Sequence, residues 1–302
     1  MNALKETKKK HLLAILKYLY LHNSSTMNEL VENLQLSQPS IRNMVRTLQE
    51  KQLIQEVGND LSSGGRCPTR FALNEKNYLI LCLYVQVDKV IYQLRNFNEI
   101  KKEGILFYQS EDELKKTIKD LIDQEKIHCC QIAVEGIVYE DVYVTDHHNV
   151  LEKHQWLKDI KKEINIPLQL QNDVKMIHQG CYFTYQQDST YYLYINEVGI
   201  GSSYFYKDEP LYGRSGIMGE IGLISLKGKT INQQIRECQN QEEFNEILSL
   251  LLSIVFTMID PKRLELSLDL KWRYEKNIID DSGCYGLSSS FGSAKAYSEG
   301  IS

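Results

Sequence analysis

Residues 63–71, SGGRCPTRF, combine the side chains that handle phosphate: adjacent Gly64 and Gly65 that allow close backbone approach, and Arg66 and Arg70 that bring charge to it. Two chemistries fit such a run. A nucleotide cradle needs a strand, a glycine loop and then a helix whose first amides face the phosphate, with lysine at the G-x-x-x-x-G-K-[ST] spacing. Here that spacing is missing, and the loop is followed by Arg70-Phe71-Ala72-Leu73, which reads as a strand. The other chemistry is a hairpin tip whose glycines lie against a sugar-phosphate backbone while Arg66 enters a narrow minor groove, with Pro68 stiffening the return. A second glycine loop, Val198-Gly199-Ile200-Gly201-Ser202, holds a lone G-x-G, which is equally a tight hairpin turn.

The elements before the first loop decide between these readings. HLLAILKYLYLH places Leu12, Leu16, Leu19 and Tyr20 at helical spacing and predicts an amphipathic helix. Thr26-Met27-Asn28-Glu29 fits a capping box, so a second helix starts there, turns Leu30, Val31 and Leu34 inward and stops near Gln35. A third starts at Ser37 with Pro39 in its first turn and buries Ile41, Met44, Val45 and Leu48. Gln38, Ser40, Arg42, Asn43, Arg46 and Thr47 are left on or near its open side. Small polar residues and arginines there suit a recognition helix, whose first turns reach base edges. Helices alone fit a plain three-helix bundle equally well. The strand Leu53–Val57, the turn-rich GNDLSSGGRCPT and the returning strand turn the bundle into a winged helix-turn-helix over residues 1–74, with the opening loop as its wing.

Charge follows the same division. The chain of 302 residues carries a net −5, yet residues 1–75 hold ten Lys and Arg against seven Asp and Glu, a surplus of three that leaves the remainder at −8. A basic module on an acidic body is what a protein needs if only that module meets phosphates. With 42% hydrophobic and 25% charged residues the chain can build ordinary globular cores. No apolar run reaches the roughly 18 residues of a membrane span, and MNALKETKKKHLL lacks the apolar core of a secretory signal, so a cytoplasmic protein is expected. Seven cysteines, scattered without a repeated C-x-x-C, point to reduced thiols rather than a disulfide framework or zinc ribbon.

From residue 78 on, strand-like runs (LILCLYVQV, KVIYQLRNF, CQIAVEGIV, TYYLYIN) alternate with helical ones (EDELKKTIKDLIDQ, LEKHQWLKDIKKEI and residues 241–258), which predicts an α/β domain. Asn172 and Asp173, in LQNDVKMIHQG, would cap the helix that follows.

LSQPSIRNMVRTLQEKQLIQEVG followed by SSGGRCPTRFALN resembles the N-terminal domain of ROK-family transcriptional regulators, whose wing carries a GGR-x-P-T motif. The resemblance covers nearly the whole chain and is strongest over 36–74 and 195–224. It implies that residues 78–302 form a two-lobed actin-like ATPase (ribonuclease H-like) domain of the kind found in ROK sugar kinases, here shortened and degenerate. In those kinases a D-x-G-G-T loop meets the nucleotide phosphates; Tyr84, Gln86 and Val87 stand near that place, and LDLKW replaces the adenosine-side glycines. Nucleotide binding therefore looks lost. The sugar side is better kept: Asn172 and Asp173 match the N-D pair whose aspartate is the kinases' general base, and Glu220, in GRSGIMGEIGL, matches a sugar-binding glutamate. Leu223 replaces the family's histidine, and of the cysteine-rich loop that should follow only Cys238 is present, so no structural zinc and no cofactor are expected.

The sequence is thus identified as that of a regulator rather than an enzyme: a homodimer that binds a double-stranded DNA operator through Ser37, Gln38, Ser40, Arg42, Asn43, Arg46, Gly64, Gly65, Arg66 and Arg70, and senses a sugar or sugar phosphate through Asn172, Asp173 and Glu220. Two alternatives stay open, a sugar kinase with an accessory DNA-binding module and a body that only dimerises.

Overall fold

A computed structural model of the chain describes residues 2–59, 67–74, 78–97, 99–147, 150–185, 189–196, 199–207 and 209–269. The first elements are α1 (Asn2–His22), β1 (Ser25–Thr26), α2 (Met27–Leu34), α3 (Gln38–Glu50), β2 (Ile54–Asn59) and β3 (Thr69–Leu73). Thr26 caps α2 in a full capping box, Gln35 ends it in the left-handed region, and Ser37 caps α3. The third helix buries Ile41, Met44, Val45 and Leu48, the stripe its spacing predicts. These residues share one core with Ile15, Leu19, Leu30, Ile54, Phe71 and Leu73. The first helix departs from expectation. It begins nine residues before His11, and it buries Ile15 while Tyr20 remains 46% exposed. The charged KETKKK turn hid its start. The sheet here has order β1-β3-β2, and the two-residue β1, which pairs Thr26 with Arg70, is too short to leave a sequence pattern.

The next strands are β4 (Leu79–Val85), β5 (Lys89–Arg95) and β6 (Ile100–Phe107), followed by α4 (Glu111–Asp123), β7 (Ile127–Val134), β8 (Ile137–Tyr139), β9 (Val142–His147), β10 (Val150–His154), α5 (Trp156–Glu163) and β11 (Leu168–Asn172). A five-stranded sheet runs β11-β7-β4-β5-β6 and a three-stranded one β10-β9-β8. LEKHQWLKDIKKEI is helical only from Trp156. Residues 150–154 instead pair with β9, Leu151 opposite Asp146, and Leu151 is 72% exposed. A neighbouring strand outcompetes the helical spacing there, and α5 starts where Trp156 is buried and donates its indole N–H to Tyr143 Oη at 3.1 Å. IKKEGILF, exposed along nearly its whole length, forms the edge strand β6 and shows none of the alternation that marks a half-buried strand.

The remaining elements are α6 (Asp173–Tyr185), β12 (Ser189–Asn196), β13 (Ile200–Tyr206), β14 (Glu209–Pro210), β15 (Ser225–Leu226), β16 (Lys229–Thr230), α7 (Ile231–Glu237), α8 (Gln241–Met258) and β17 (Arg263–Asp269). The sheet is β14-β13-β12-β17, with β17 parallel to β12 and β13 antiparallel to it. Alternation sorts β12 cleanly: Tyr191, Leu193 and Ile195 join a core with Ile231, Ile235, Leu251 and Val255 of α7 and α8, while Tyr192 packs with Val174 and Cys181 of α6. Contacts divide the chain into two compact units, residues 1–83, 88–131 and 165–168 in one, and 84–87, 132–164 and 169 onward in the other.

Candidate functional site

On α3 the buried stripe leaves Ser37, Gln38, Arg42, Asn43 and Arg46 exposed and Ser40 half-buried. Ser37 Oγ accepts the Ser40 amide at 3.4 Å and shares a hydrogen with Ser40 Oγ at 2.8 Å, so both hydroxyls are tied to the cap. Arg46 reaches Glu50 at 3.0 Å, but with side chains 80% and 63% exposed this pair is solvent-screened and free to exchange for another anion. Arg70 is held differently. Its guanidinium donates to Glu29 at 3.2 Å and to Ser24 Oγ at 3.2 Å, and Glu29 also accepts the Thr26 amide at 2.8 Å and Ser25 Oγ at 3.1 Å. The Thr26 amide first, with Ser25 and Arg70, holds the Glu29 carboxyl below its ordinary range. Arg70 therefore braces β3 against the start of α2, a job its position just after the GGR-x-P-T run did not disclose. Gly64, Gly65 and Arg66 lie outside the described residues.

The second group gathers where β4, β7 and β11 end and α6 begins, within the unit that holds residues 84–87, 132–164 and 169 onward. Asn172 is buried and acts as a cap: Oδ1 accepts the Lys175 amide at 3.0 Å and Nδ2 donates to Gly136 O at 2.8 Å. Asp173 opens α6, and its Oδ1 accepts the Val174 amide at 2.8 Å. Its Oδ2 lies 3.3 Å from Tyr84 Oη, which stands 2.9 Å from Glu135 Oε1. Burial, then the Glu135 charge, pushes the Asp173 carboxyl up to about 7. Glu220 is raised to about 6 by burial, with the Lys175 charge pulling the other way.

Sequence reasoning missed Lys175 and Glu135. Lys175 is 1% exposed; its Nζ donates to Gly216 O at 3.0 Å and lies 5.5 Å from the centre of the Tyr212 ring, and burial lowers its pKa. Its place three residues after Asn172, on the first turn of a helix beginning in a core, was the available signal. Glu135 follows the apolar QIAV strand end, where a carboxylate before a glycine resembles an ordinary turn.

The glycines of the 213–219 run have a packing reason. Gly216 and Gly219 take φ of +78° and +95°, and a Cβ would come within 2.3 Å of Val138 O and 2.5 Å of Ser202 O respectively. β12 and β13 are antiparallel neighbours, with Ile195 opposite Ile200 and Gly199 just ahead of β13. The Gly199 amide donates to Asn196 Oδ1 at 2.9 Å and the Ile200 amide to Asn232 Oδ1 at 2.8 Å, so two donors that a phosphate would need are already taken. Among the described residues no three His, Cys, Asp or Glu side chains are grouped to hold a metal ion. None of the described helices is long and apolar enough to cross a membrane.

Comparison with known proteins shows what this α/β fold, with its acids beside a capped helix, is similar to. The model of the ROK family matches residues 105–249 of the chain. In sequence it is similar to the xylose repressor of Staphylococcus xylosus, 24% identical over 229 residues, which is 69% of this chain and 58% of the repressor's length. In fold it is similar to a ROK family transcriptional regulator, a homologue of the E. coli MLC protein, with a TM-score of 0.65 at 15% identity over 80% of this chain and 78% of that one. A ROK family protein of Streptococcus pneumoniae solved in complex with sucrose superposes with a TM-score of 0.51 at 13% identity, over 64% of this chain and 80% of that one.

Proposed function

We propose that the chain is a sequence-specific DNA-binding transcriptional regulator, a repressor of the ROK type, in which residues 1–74 act as a winged helix-turn-helix and residues 78–302 as an effector-binding and dimerising body. The observation that carries this reading is α3. One side of it is fully committed to the core by Ile41, Met44, Val45 and Leu48, and the other presents Gln38, Arg42, Asn43 and Arg46 to solvent just ahead of the β2–β3 hairpin. Two copies would place two such helices on a roughly palindromic operator. The xylose repressor and MLC-type resemblances support the same role.

The body in this reading binds a sugar or sugar phosphate near Asp173 and Glu220 and acts through unequal affinity for two arrangements, relieving repression. It does not transfer phosphoryl groups: Tyr84 stands against Asp173, and the Gly199 and Ile200 amides are spent on Asn196 and Asn232.

The test is selection of genomic fragments by the purified chain, repeated over a range of salt and with Arg42→Ala and Arg66→Ala. Selective binding that weakens with salt, with a salt slope reduced by about one unit when a phosphate-contacting arginine is removed, is expected. Absence of DNA binding at low salt would overturn the reading. Turnover of any hexose with ATP that Asp173→Asn abolishes would overturn the non-enzymatic part of it.

A further inference from the structure

The hydrogens around Asp173 can be counted. Tyr84 Oη lies within hydrogen-bond distance of both Glu135 Oε1, at 2.9 Å, and Asp173 Oδ2, at 3.3 Å. A phenol has one hydrogen, so it serves one carboxylate at a time. Glu135 Oε1 is the shorter partner and also accepts Gln86 Nε2 at 3.4 Å, so the phenol hydrogen is placed toward Glu135. Asp173 Oδ2 is then left facing a phenol oxygen whose hydrogen points elsewhere. Two oxygens without a hydrogen between them, in a partly buried place, repel; a proton on Oδ2 turns the same contact into a hydrogen bond.

We propose that Asp173 and Glu135 share one proton, carried on Asp173 Oδ2 and donated to Tyr84 Oη, which in turn donates to Glu135, so that the carboxyl matching the kinases' general base is a hydrogen-bond donor at neutral pH. The charged surroundings agree in sign. Burial and the Glu135 and Glu220 charges all favour the protonated form of Asp173, against the Val174 amide; the Tyr84 hydroxyl opposes it only when its hydrogen points at Asp173 instead of Glu135. The nearby cation, Lys175, bears on Glu220. The chemical consequence is that this group would have to surrender its own proton before it could take one from a sugar hydroxyl. The inference deepens the proposed function, since it gives the body a reason to bind polyols without activating them. It rests on nothing in the DNA-binding segment, so failure to bind an operator and failure of this proton count are separate results.

The experiment is carbon-13 NMR of aspartate side-chain carboxyls in the full-length chain, titrated across neutral pH, with Asp173→Asn to assign the resonance. Asp173 is expected to be protonated at about pH 6 and to titrate near neutrality, and Glu135→Gln is expected to lower its midpoint by at least about one unit by removing the like charge. An Asp173 already ionised at about pH 6 overturns the proposal. A midpoint unmoved by Glu135→Gln overturns the sharing. Should that variant fail to fold by circular dichroism, Tyr84→Phe is read instead: it cuts the relay, and an unmoved midpoint in it has the same meaning.

Discussion

Asn172→Ala tests whether Asn172 is first of all a piece of the fold. The side chain makes two buried hydrogen bonds, accepting the Lys175 amide at 3.0 Å and donating to Gly136 O at 2.8 Å. Loss of a helix N-cap costs about 1 kcal/mol. Stranding a buried carbonyl adds about 1–3 kcal/mol. The sum, roughly 2–4 kcal/mol, is a large part of a domain's usual margin. It should appear in urea unfolding followed by circular dichroism as a lower midpoint at unchanged slope, and as a melting temperature lower by roughly 5–10 °C. Asn172→Ser keeps an acceptor for the Lys175 amide and loses the donor, so it should fall between the two. If Asn172→Ala unfolds within about 0.5 kcal/mol of the parent, the capping argument is refuted and the residue is free to be explained by ligand contact alone.

Arg70→Ala should cost about 1 kcal/mol, because its partly exposed pair with Glu29 also steadies the capping box, and it should leave the salt slope of DNA binding close to the parent's; a slope reduced as much as by Arg42→Ala would return Arg70 to the DNA surface. Gly216→Ala and Gly219→Ala each set a Cβ against a carbonyl oxygen at positive φ and should destabilise by more than about 2 kcal/mol, read by thermal melting; a neutral substitution at either would sink the close-approach account. Glu220, raised to about 6, keeps a proton in the fold that the unfolded chain has released, so its contribution is full below its ordinary 4.5 and is lost as pH rises through 6. Parent stability should therefore fall relative to Glu220→Gln over that window, and a flat difference would contradict it. His178, depressed to about 3 by burial, acts in the opposite sense: its contribution is present above 6.5 and is lost as pH falls, so stability of the parent relative to His178→Gln should decline on acidification.

Local rules made the first segment readable. The capping box at Thr26, Pro39 in the first turn of α3 and the four-residue stripe of that helix are decided within a few residues, and each appears where the spacing places it. What escaped depends on partners far along the chain. The two residues of β1 are a strand only because β3 lies beside them, residues 150–154 are extended because β9 pairs with them, and Arg70 is a brace only because Glu29, 41 positions earlier, is folded under it.

The same limit explains why the body's motifs were harder to weigh than those of the first segment. Asn172, Gly216, Gly219 and Gly199 match a pattern associated with sugar and phosphate, yet each also serves the local fold, as a cap, as two close backbone approaches and as an amide donor to Asn196. Residues that the fold needs in this way persist in a chain whatever becomes of its chemistry, so their presence carries little weight about activity. The discriminating residues are those that folding does not require to be polar. Tyr84 could be any large side chain at the end of a strand, and its hydroxyl is directed at two carboxylates; Lys175 is a cation placed at 1% exposure where an apolar side chain would cost less to bury. If the body has a chemical role, substitutions such as Tyr84→Phe and Lys175→Met, which remove polarity and keep bulk, should disturb it while leaving the fold largely intact.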